Sequence, residues 1–489
     1  GYAITDYLNI LEQYGTKEDF KTLVETAHQN GIKVIMDLVI QHTSDLHPFM
    51  RDAIKYKQNS PYYPFYMWDN SGNFQYMFTW VDLPSINYEA QSTRDYLINM
   101  VKYWQQNFNI DGYRCDVAWG INDLRPSGPA FWQRMRSELK SLKPDIFLLG
   151  EADALLANNT YFDKKFDAAY DYSWFNGIKN YLSNTGTLSN LNSVINSYLS
   201  SPFPGDARPF RFLENQDEQR FIEAFGQAKT KTAAALLLTL PGVPMLYAGQ
   251  EVGEMTNRGN INWEDPQGLR AYYSRLIHIR KENPALLDGS FTSIVNSTPE
   301  QVYSYLRTKD KNNAIVNINF SDAPLTVNFS VPMNDISFDS TASFYLNDEL
   351  NRVSYKVKGT DLKNYQVLIP ANTAQVLVLS DNQLTNAESQ KHTIPASYEI
   401  SQNYPNPFNP STSIRYQIPE ASHVVISIYN VLGQKVTELV NMAQNPGYYQ
   451  AVWNASNSAS GVYIYSVEIK PVSGGNAGIR TVKKMMLVK

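Results

Sequence analysis

Gly112-Tyr113-Arg114-Cys115-Asp116 is a short strand-like run that ends on a carboxylate, and three other segments of the chain are built on the same plan. They are Val34-Ile35-Met36-Asp37-Leu38-Val39-Ile40-Gln41-His42, Phe147-Leu148-Leu149-Gly150-Glu151 and Phe212-Leu213-Glu214-Asn215-Gln216-Asp217. A charged side chain at the end of a buried strand costs free energy unless it is paired or used. Four in series predict an acid/base site at the mouth of a parallel β/α barrel, where strand ends and their loops converge.

The stretches between these runs read as helices. Thr16 with Asp19 three residues on is a helix start; Phe20, Leu23, Val24 and Ala27 recur at helical spacing, and Gly31 closes the turn. Leu97, Met100, Val101 and Trp104 share one helical face, as do Trp132, Met135, Leu139 and Leu142, with Pro144 ending the second helix. Strand candidates fall at 32–40, 110–117, 146–150, 166–172, 210–213 and 243–247. Alternating helix and strand implies a parallel sheet with right-handed crossovers. An α/β fold follows, a (β/α)8 barrel whose first two strands are expected upstream of Gly1, so the chain reads as a fragment. Residues 43–85 interrupt the rhythm with a Pro-, Asn- and aromatic-rich stretch, far longer than the roughly 2 to 6 residues of an ordinary βα loop. An insertion there is expected to serve the site.

Later segments change character. From 289 to 380 short alternating runs such as Val302-Tyr303-Ser304-Tyr305-Leu306 read as an antiparallel β-sandwich. Residues 381–397 are polar and read as a linker, and 398–489 form a second all-β domain with turn signals at Pro405-Asn406-Pro407, Leu432-Gly433 and Ser460-Gly461. The expected organisation is thus a catalytic barrel at 1–288 with an inserted domain at 43–85, then a sandwich, a linker and a terminal β domain.

Composition narrows the function classes. With 489 residues, 43% of them hydrophobic, the chain can bury more than one core. The net charge of -5 and the lack of any basic stripe exclude a nucleic-acid binder. No run approaches the roughly 18 apolar residues of a membrane helix, so the chain reads as soluble. A single cysteine, Cys115, rules out an intrachain disulfide and a thiolate metal cluster. The 33 tyrosines suit stacking on sugar faces, and they equally suit β-sheet surfaces.

On a strand Arg114 and Asp116 share one face, leaving Cys115 on the other as a packing residue. A guanidinium beside a carboxylate favours its ionised form, as suits a nucleophile. Glu151 follows an apolar Leu-Leu-Gly run, where desolvation raises a carboxyl pKa, as suits a proton donor. One ionised and one protonated carboxyl is the pairing that glycoside hydrolysis needs.

These segments resemble the four signature regions of glycoside hydrolase family 13, the α-amylase family, over about residues 1–380. Leu83-Pro84-Ser85-Ile86-Asn87-Tyr88 and Pro241-Gly242-Val243-Pro244-Met245-Leu246-Tyr247 with Gly249-Gln250-Glu251 agree with it. The resemblance implies Asp116 as nucleophile, Glu151 as general acid/base and Asp217 as the carboxylate that binds sugar hydroxyls and stabilises the transition state. It further implies that Arg114 orients Asp116, His42 contacts the sugar, Tyr2 forms a stacking platform and Gln216 belongs to the substrate-binding set. Asp37 is expected to hold Arg114 in a buried ion pair, and Trp119 to be either a sugar platform or a packed loop residue. Two positions depart from the usual pattern: Gln41 stands where the family has Asn, and Gln216 where it has His. Many α-amylases hold calcium partly through that Asn and a His four residues after the nucleophile, which here is Gly120. Calcium is therefore the one ion the resemblance implies, with its usual ligands absent and Asp45 and Asp69 as the remaining candidates.

The last block resembles the C-terminal sorting domain of type IX secretion. The residues concerned are Tyr404-Pro405-Asn406-Pro407-Phe408-Asn409-Pro410, Gly433-Gln434-Lys435-Val436, Trp453-Asn454, Ser460-Gly461-Val462-Tyr463 and the basic-apolar ending from Lys483. A carbohydrate-binding β-sandwich is the alternative. The resemblance implies the outer-membrane secretion machinery as partner and a secreted or cell-surface location. The reading that results is a monomeric, retaining, endo-acting α-glucan hydrolase on starch-like α-1,4-glucan. An oligosaccharide α-glucosidase or transglycosylase is the nearest alternative, because Thr43-Ser44-Asp45-Leu46-His47-Pro48-Phe49 resembles the inserted domain of oligosaccharide-cleaving members. An inactive glucan-binding protein on the same scaffold is the other.

Overall fold

The computed structural model describes residues 2–155, 158–200, 207–336, 341–384, 397–420, 422–444, 447–471 and 478–488. Six strands, β1 (Ile35–Leu38), β2 (Gly112–Cys115), β3 (Phe147–Asp153), β4 (Ala168–Tyr170), β5 (Arg208–Arg211) and β6 (Val243–Pro244), form one parallel sheet in sequence order. The register sets Asp37 beside Arg114, Arg114 beside Leu149, and Cys115 beside Gly150. Asp116 and Glu151 therefore leave adjacent strands at the same end of the sheet.

Local sequence explains the helices that cover it. Lys17–Gln29 begins with a reciprocal capping box between Thr16 and Asp19. Gln91–Phe108 buries Leu97, Met100, Val101 and Trp104, and Gly128–Leu142 buries Trp132, Met135 and Leu139. The apolar faces are narrower than spacing predicts, since Leu23 and Leu142 are exposed. β5 also begins and ends two residues earlier than expected, leaving Phe212 and Leu213 buried beyond its ladder. β6 is only two residues long, flanked by Pro241 and including Pro244, neither of which can donate a ladder hydrogen bond.

Residues 43–85 carry the helix Pro48–Tyr56 and short 3-10 turns. Isolated bridges His42↔Ser85, Tyr66↔Ile86, Trp68↔Phe74 and Tyr76↔Pro84 fold the stretch back on itself and onto the end of the β1 run. Beyond the barrel, β7 (Ser290–Ile294), β8 (Val302–Lys309), β9 (Asn312–Asn319), β10 (Leu325–Phe329), β11 (Ser343–Asp348), β12 (Val353–Lys358), β13 (Tyr365–Ile369) and β14 (Thr373–Ser380) follow. They build a six-stranded sheet, β12-β11-β14-β9-β8-β7, and a β10-β13 pair. Phe291, Tyr303, Tyr305 and Val316 share one hydrophobic core with Ala233–Leu238 of the helix Phe221–Thr239, so sheet and barrel are built around continuous apolar packing.

By its contacts the chain divides into two units, Gly1–Asn351 with Tyr355–Asp381, and Arg352–Ser354 with Asn382–Lys489. The second contains a three-stranded antiparallel sheet (Glu399–Ile400, Ser411–Ile418, Gly447–Asn454) and a four-stranded one (Ser422–Asn430, Lys435–Gln444, Gly461–Pro471, Ile479–Leu487). Ile414, Ile418, Ile426, Ile428, Trp453, Val467 and Leu487 make its core. Most of the stretch expected as a linker, 385–396, lies outside the described residues. Among the described residues no helix is long and apolar enough to cross a membrane.

Candidate active site

The strand ends converge on one guanidinium. Arg114 Nη1 lies 2.5 Å from Asp116 Oδ1 and 2.9 Å from Asp37 Oδ1, and Nη2 lies 2.9 Å from Glu151 Oε1. Arg114 Nε donates to the Tyr170 hydroxyl at 3.3 Å, which fixes the plane of the fork. The second oxygen of Asp116 accepts from Gln41 Nε2 at 2.5 Å, and its backbone N–H donates to the Leu38 carbonyl. Val117 follows in the left-handed region (φ 44°), an uncommon placement for a β-branched residue. That turn aims its N–H at Glu151 Oε2, 2.7 Å away.

Two carboxyls sharing one cation differ in their surroundings. Desolvation is the main cause that pushes the Glu151 pKa up, to about 7. The Asp116 charge adds to the rise, while Arg114 and the Val117 N–H offset part of it. Glu151 thus keeps its proton near neutrality, while Asp116 is paired with Arg114 and accepts from the Gln41 amide.

Asp217 belongs to the turn after β5 and is half exposed, its side chain retaining 50% of its accessible surface. Its Oδ2 accepts from Gln216 Nε2 at 2.9 Å, its Oδ1 pairs with Arg258 Nη2, and its backbone N–H donates to Asn215 Oδ1. Glu214, three residues earlier, points away: it is buried against Arg220 Nη1 (2.7 Å) and the Phe221 N–H (2.7 Å), a structural pair.

Asp116, Glu151 and Asp217 line a cleft of about 580 Å3 together with Tyr2, His42, Phe78, Trp80, Leu83, Val117, Trp119 and Arg258. His42 Nε2 meets the Tyr2 carbonyl at 3.0 Å and its ring stands edge-on to Trp80. Burial lowers the His42 pKa, so the ring stays neutral near pH 7 and presents a hydrogen bond rather than a charge. Tyr2 donates its hydroxyl to Asp37 Oδ2 at 2.9 Å. Trp119 is a cleft residue with 38% of its surface exposed, stacked on Phe78 at 5.2 Å between centroids.

Arg114 lies beneath the cleft floor, in contact with Asp116, the residue it is expected to orient. Gln216 is not among the cleft-lining residues, and its amide turns back onto Asp217. The Arg114–Asp37 pair is buried only on the arginine side, with 9% of that side chain exposed against 41% for Asp37. Cys115 is buried as expected, and burial pushes its thiol pKa well up. Sequence reasoning singled out neither Phe78 and Trp80, which sit in an irregular stretch without periodicity, nor Arg258, 41 residues beyond Asp217; the aromatic content of 43–85 was the only available signal.

The residues present do not fit the family's usual calcium site. A side-chain carbon at Gly120 would come within 2.7 Å of Met77 Cε and 3.6 Å of the Phe78 ring, so that position is packed with apolar groups. Gln41 commits its amide nitrogen to Asp116. Of the remaining candidates, Asp69 spends its carboxylate on the Ser71 and Asn73 backbone N–H groups. Among the described residues no three His, Cys, Asp or Glu side chains are gathered as metal ligands.

A parallel β/α sheet that presents carboxyls from successive strand ends to one cleft is the arrangement that barrel-fold glycoside hydrolases use. The chain belongs to the α-amylase family, whose catalytic domain matches residues 1–267. It is 30% identical over 333 residues to the α-amylase MalA of Haloarcula japonica, covering 67% of this chain and 48% of that protein. It is likewise 30% identical over 349 residues to the maltogenic α-amylase of Bacillus acidopullulyticus, covering 65% and 57%. The chain thus spans about half the length of these relatives. The crystal structure of the α-amylase from H. orenii superposes with a TM-score of 0.65 at 27% identity, covering 78% of this chain and 87% of that one. Residues 402–476 match the secretion system C-terminal sorting domain, which marks a secreted or cell-surface protein.

Proposed function

We propose that the protein is a retaining, endo-acting α-glucan hydrolase that cleaves α-1,4-glucosidic bonds of starch-like polysaccharide outside the cell. The observation that carries this reading is the Arg114 fork, which contacts Asp116 at 2.5 Å and Glu151 at 2.9 Å in the floor of the cleft that Asp217 also lines. Carboxyls held by one guanidinium leave little room between them for the water that an inverting enzyme places there, which favours retention. Asp116 attacks the anomeric carbon while Glu151 donates its proton to the glycosidic oxygen, giving a glycosyl ester on Asp116. Glu151, now a carboxylate, then takes a proton from the water that hydrolyses the ester. Gln41 and Arg114 stabilise the Asp116 carboxylate as it leaves the second transition state. Asp217 and His42 hydrogen-bond sugar hydroxyls, and Tyr2, Trp80 and Trp119 offer flat apolar faces to the rings.

The similarity to the maltogenic α-amylase of Bacillus acidopullulyticus favours a second reading, an oligosaccharide-cleaving enzyme with small products. Product analysis on amylose and on maltose separates the two. Rapid loss of amylose chain length with mixed oligosaccharides supports endo action, whereas preferential hydrolysis of short oligosaccharides supports the alternative. Turnover of neither substrate contradicts both.

A further inference from the structure

Arg258 is the only Arg or Lys among the described residues lining the cleft. Its backbone adopts the left-handed region (φ 51°), and its side chain reaches back over the turn after β5. There Nη2 pairs with Asp217 Oδ1 and Nε donates to the Gln216 carbonyl at 2.7 Å. Asn257 Nδ2 reinforces the join, donating to the carbonyls of Gln216 (3.2 Å) and Glu218 (2.8 Å). Two side chains of the 254–260 segment thus fasten it to the loop that carries Asp217. The ion pair itself is solvent-facing, with 60% and 50% of the two side chains exposed, and such a pair adds little to folding stability. Its placement in the cleft gives it another use. When sugar displaces water from the cleft the local dielectric falls, and a charge pair that is weak in water grows strong.

Gln216, the nearest side chain to Asp217 on its own loop, can donate a hydrogen bond but carries no charge. We infer that Arg258 is the positioning residue of Asp217, supplying from a separate loop the cationic partner that the strand-end segment lacks and holding the carboxylate aimed at the sugar hydroxyls it binds. The inference rests on the reading of Asp217 given under the proposed function. Because hydrogen bonds from a carboxylate to sugar hydroxyls strengthen from the bound ground state to the transition state, a misaimed Asp217 loses mainly transition-state stabilisation, and the loss of Arg258 belongs mainly in kcat.

The test uses the full chain on soluble amylose. R258Q should lower kcat about tenfold or more, with KM changed by less than about threefold. R258K, which keeps the charge, should recover most of the loss. Adding Q216H to R258Q should restore part of it, and the gain should exceed that from Q216H in the wild-type background, the coupling expected of two groups serving one carboxylate. Thermal unfolding of R258Q should match wild type. An R258Q enzyme within about twofold of wild type, a loss confined to KM, or a loss that neither R258K nor Q216H reduces would overturn the inference. D217N serves as the control for the underlying reading: wild-type turnover by D217N would overturn the role of Asp217, whereas a dead D217N beside a normal R258Q would overturn only the role of Arg258.

Discussion

Asp116 and Glu151 lie within hydrogen-bond reach of the same arginine, and single substitutions should tell them apart. Asp116→Asn preserves side-chain volume and can keep one contact to Arg114, but it removes the nucleophilic oxygen. Turnover should fall by more than about 10³-fold with the fold intact, as measured by kinetics and circular dichroism. Glu151→Gln should cost most on amylose and least on an activated aryl glycoside, whose leaving group needs no proton. Equal loss on both substrates would remove Glu151 from the acid role. The direction of the Glu151 shift also sets the alkaline limb of the pH profile. The acid must be protonated, and burial holds its pKa near 7, so kcat/KM should fall about tenfold per pH unit as pH rises above that value. A limb beginning near pH 4.5, the ordinary glutamate range, would contradict the desolvated site. Gln216→His alone should add on the order of 1 kcal/mol of transition-state binding, one hydrogen bond, because Arg258 already supplies charge to Asp217. The three carboxyls and His42 could be picked from sequence because each stands within a recognisable strand-end motif, whereas Tyr2 was nominated only by the family resemblance. Arg258, Phe78 and Trp80 could not, because they reach the cleft from irregular loops whose paths no local pattern specifies.

At the scale of elements, β2 and β3 must approach closely enough for Arg114 and Glu151 to meet. Gly112 makes the approach possible, since a Cβ there would lie 2.1 Å from the Phe147 carbonyl oxygen, a backbone atom that cannot step aside. Gly112→Ala should therefore destabilise the barrel by about 2 kcal/mol, the scale of an overpacked core, and lower activity with it. Chemical denaturation checks this, and an unchanged midpoint would refute it. The six strands could be located from apolar runs between helical periods, and the capping box at Thr16 follows directly from its residues. Ends were less legible. β5 runs two residues earlier than the apolar run suggests, because Phe212 and Leu213 are buried in the hydrophobic core, Phe212 against Tyr170, Tyr172 and Phe175, rather than by pairing, and burial alone does not distinguish the two. Leu23 and Leu142 show the same limit from the other side: helical spacing nominates them for the core, but only contact with a neighbouring element buries a side chain.

For the whole molecule, the contacts divide the chain near residue 381, and the second unit has a hydrophobic core of its own. Deleting 398–489 should leave amylose hydrolysis within about twofold of wild type, since a unit with its own core folds independently of its neighbour. The same deletion should abolish export in a host that possesses the sorting machinery; efficient export of the truncated chain would contradict the role of the sorting domain. The change from β/α rhythm to short alternating runs after residue 288 was plain in the sequence. The packing of that β region into one core with the barrel helix Phe221–Thr239 was not, because no residue pattern records which apolar faces meet. Asp116 and Glu151 acting as a retaining pair is what the mechanism of this molecule turns on, and the configuration of the newly released reducing end reports on it directly. Proton NMR of amylose or maltooligosaccharide hydrolysis, recorded before mutarotation, should show the α-anomer appearing first. Initial release of the β-anomer would mean that water, not Asp116, attacks the anomeric carbon, and would contradict the mechanism proposed for this site.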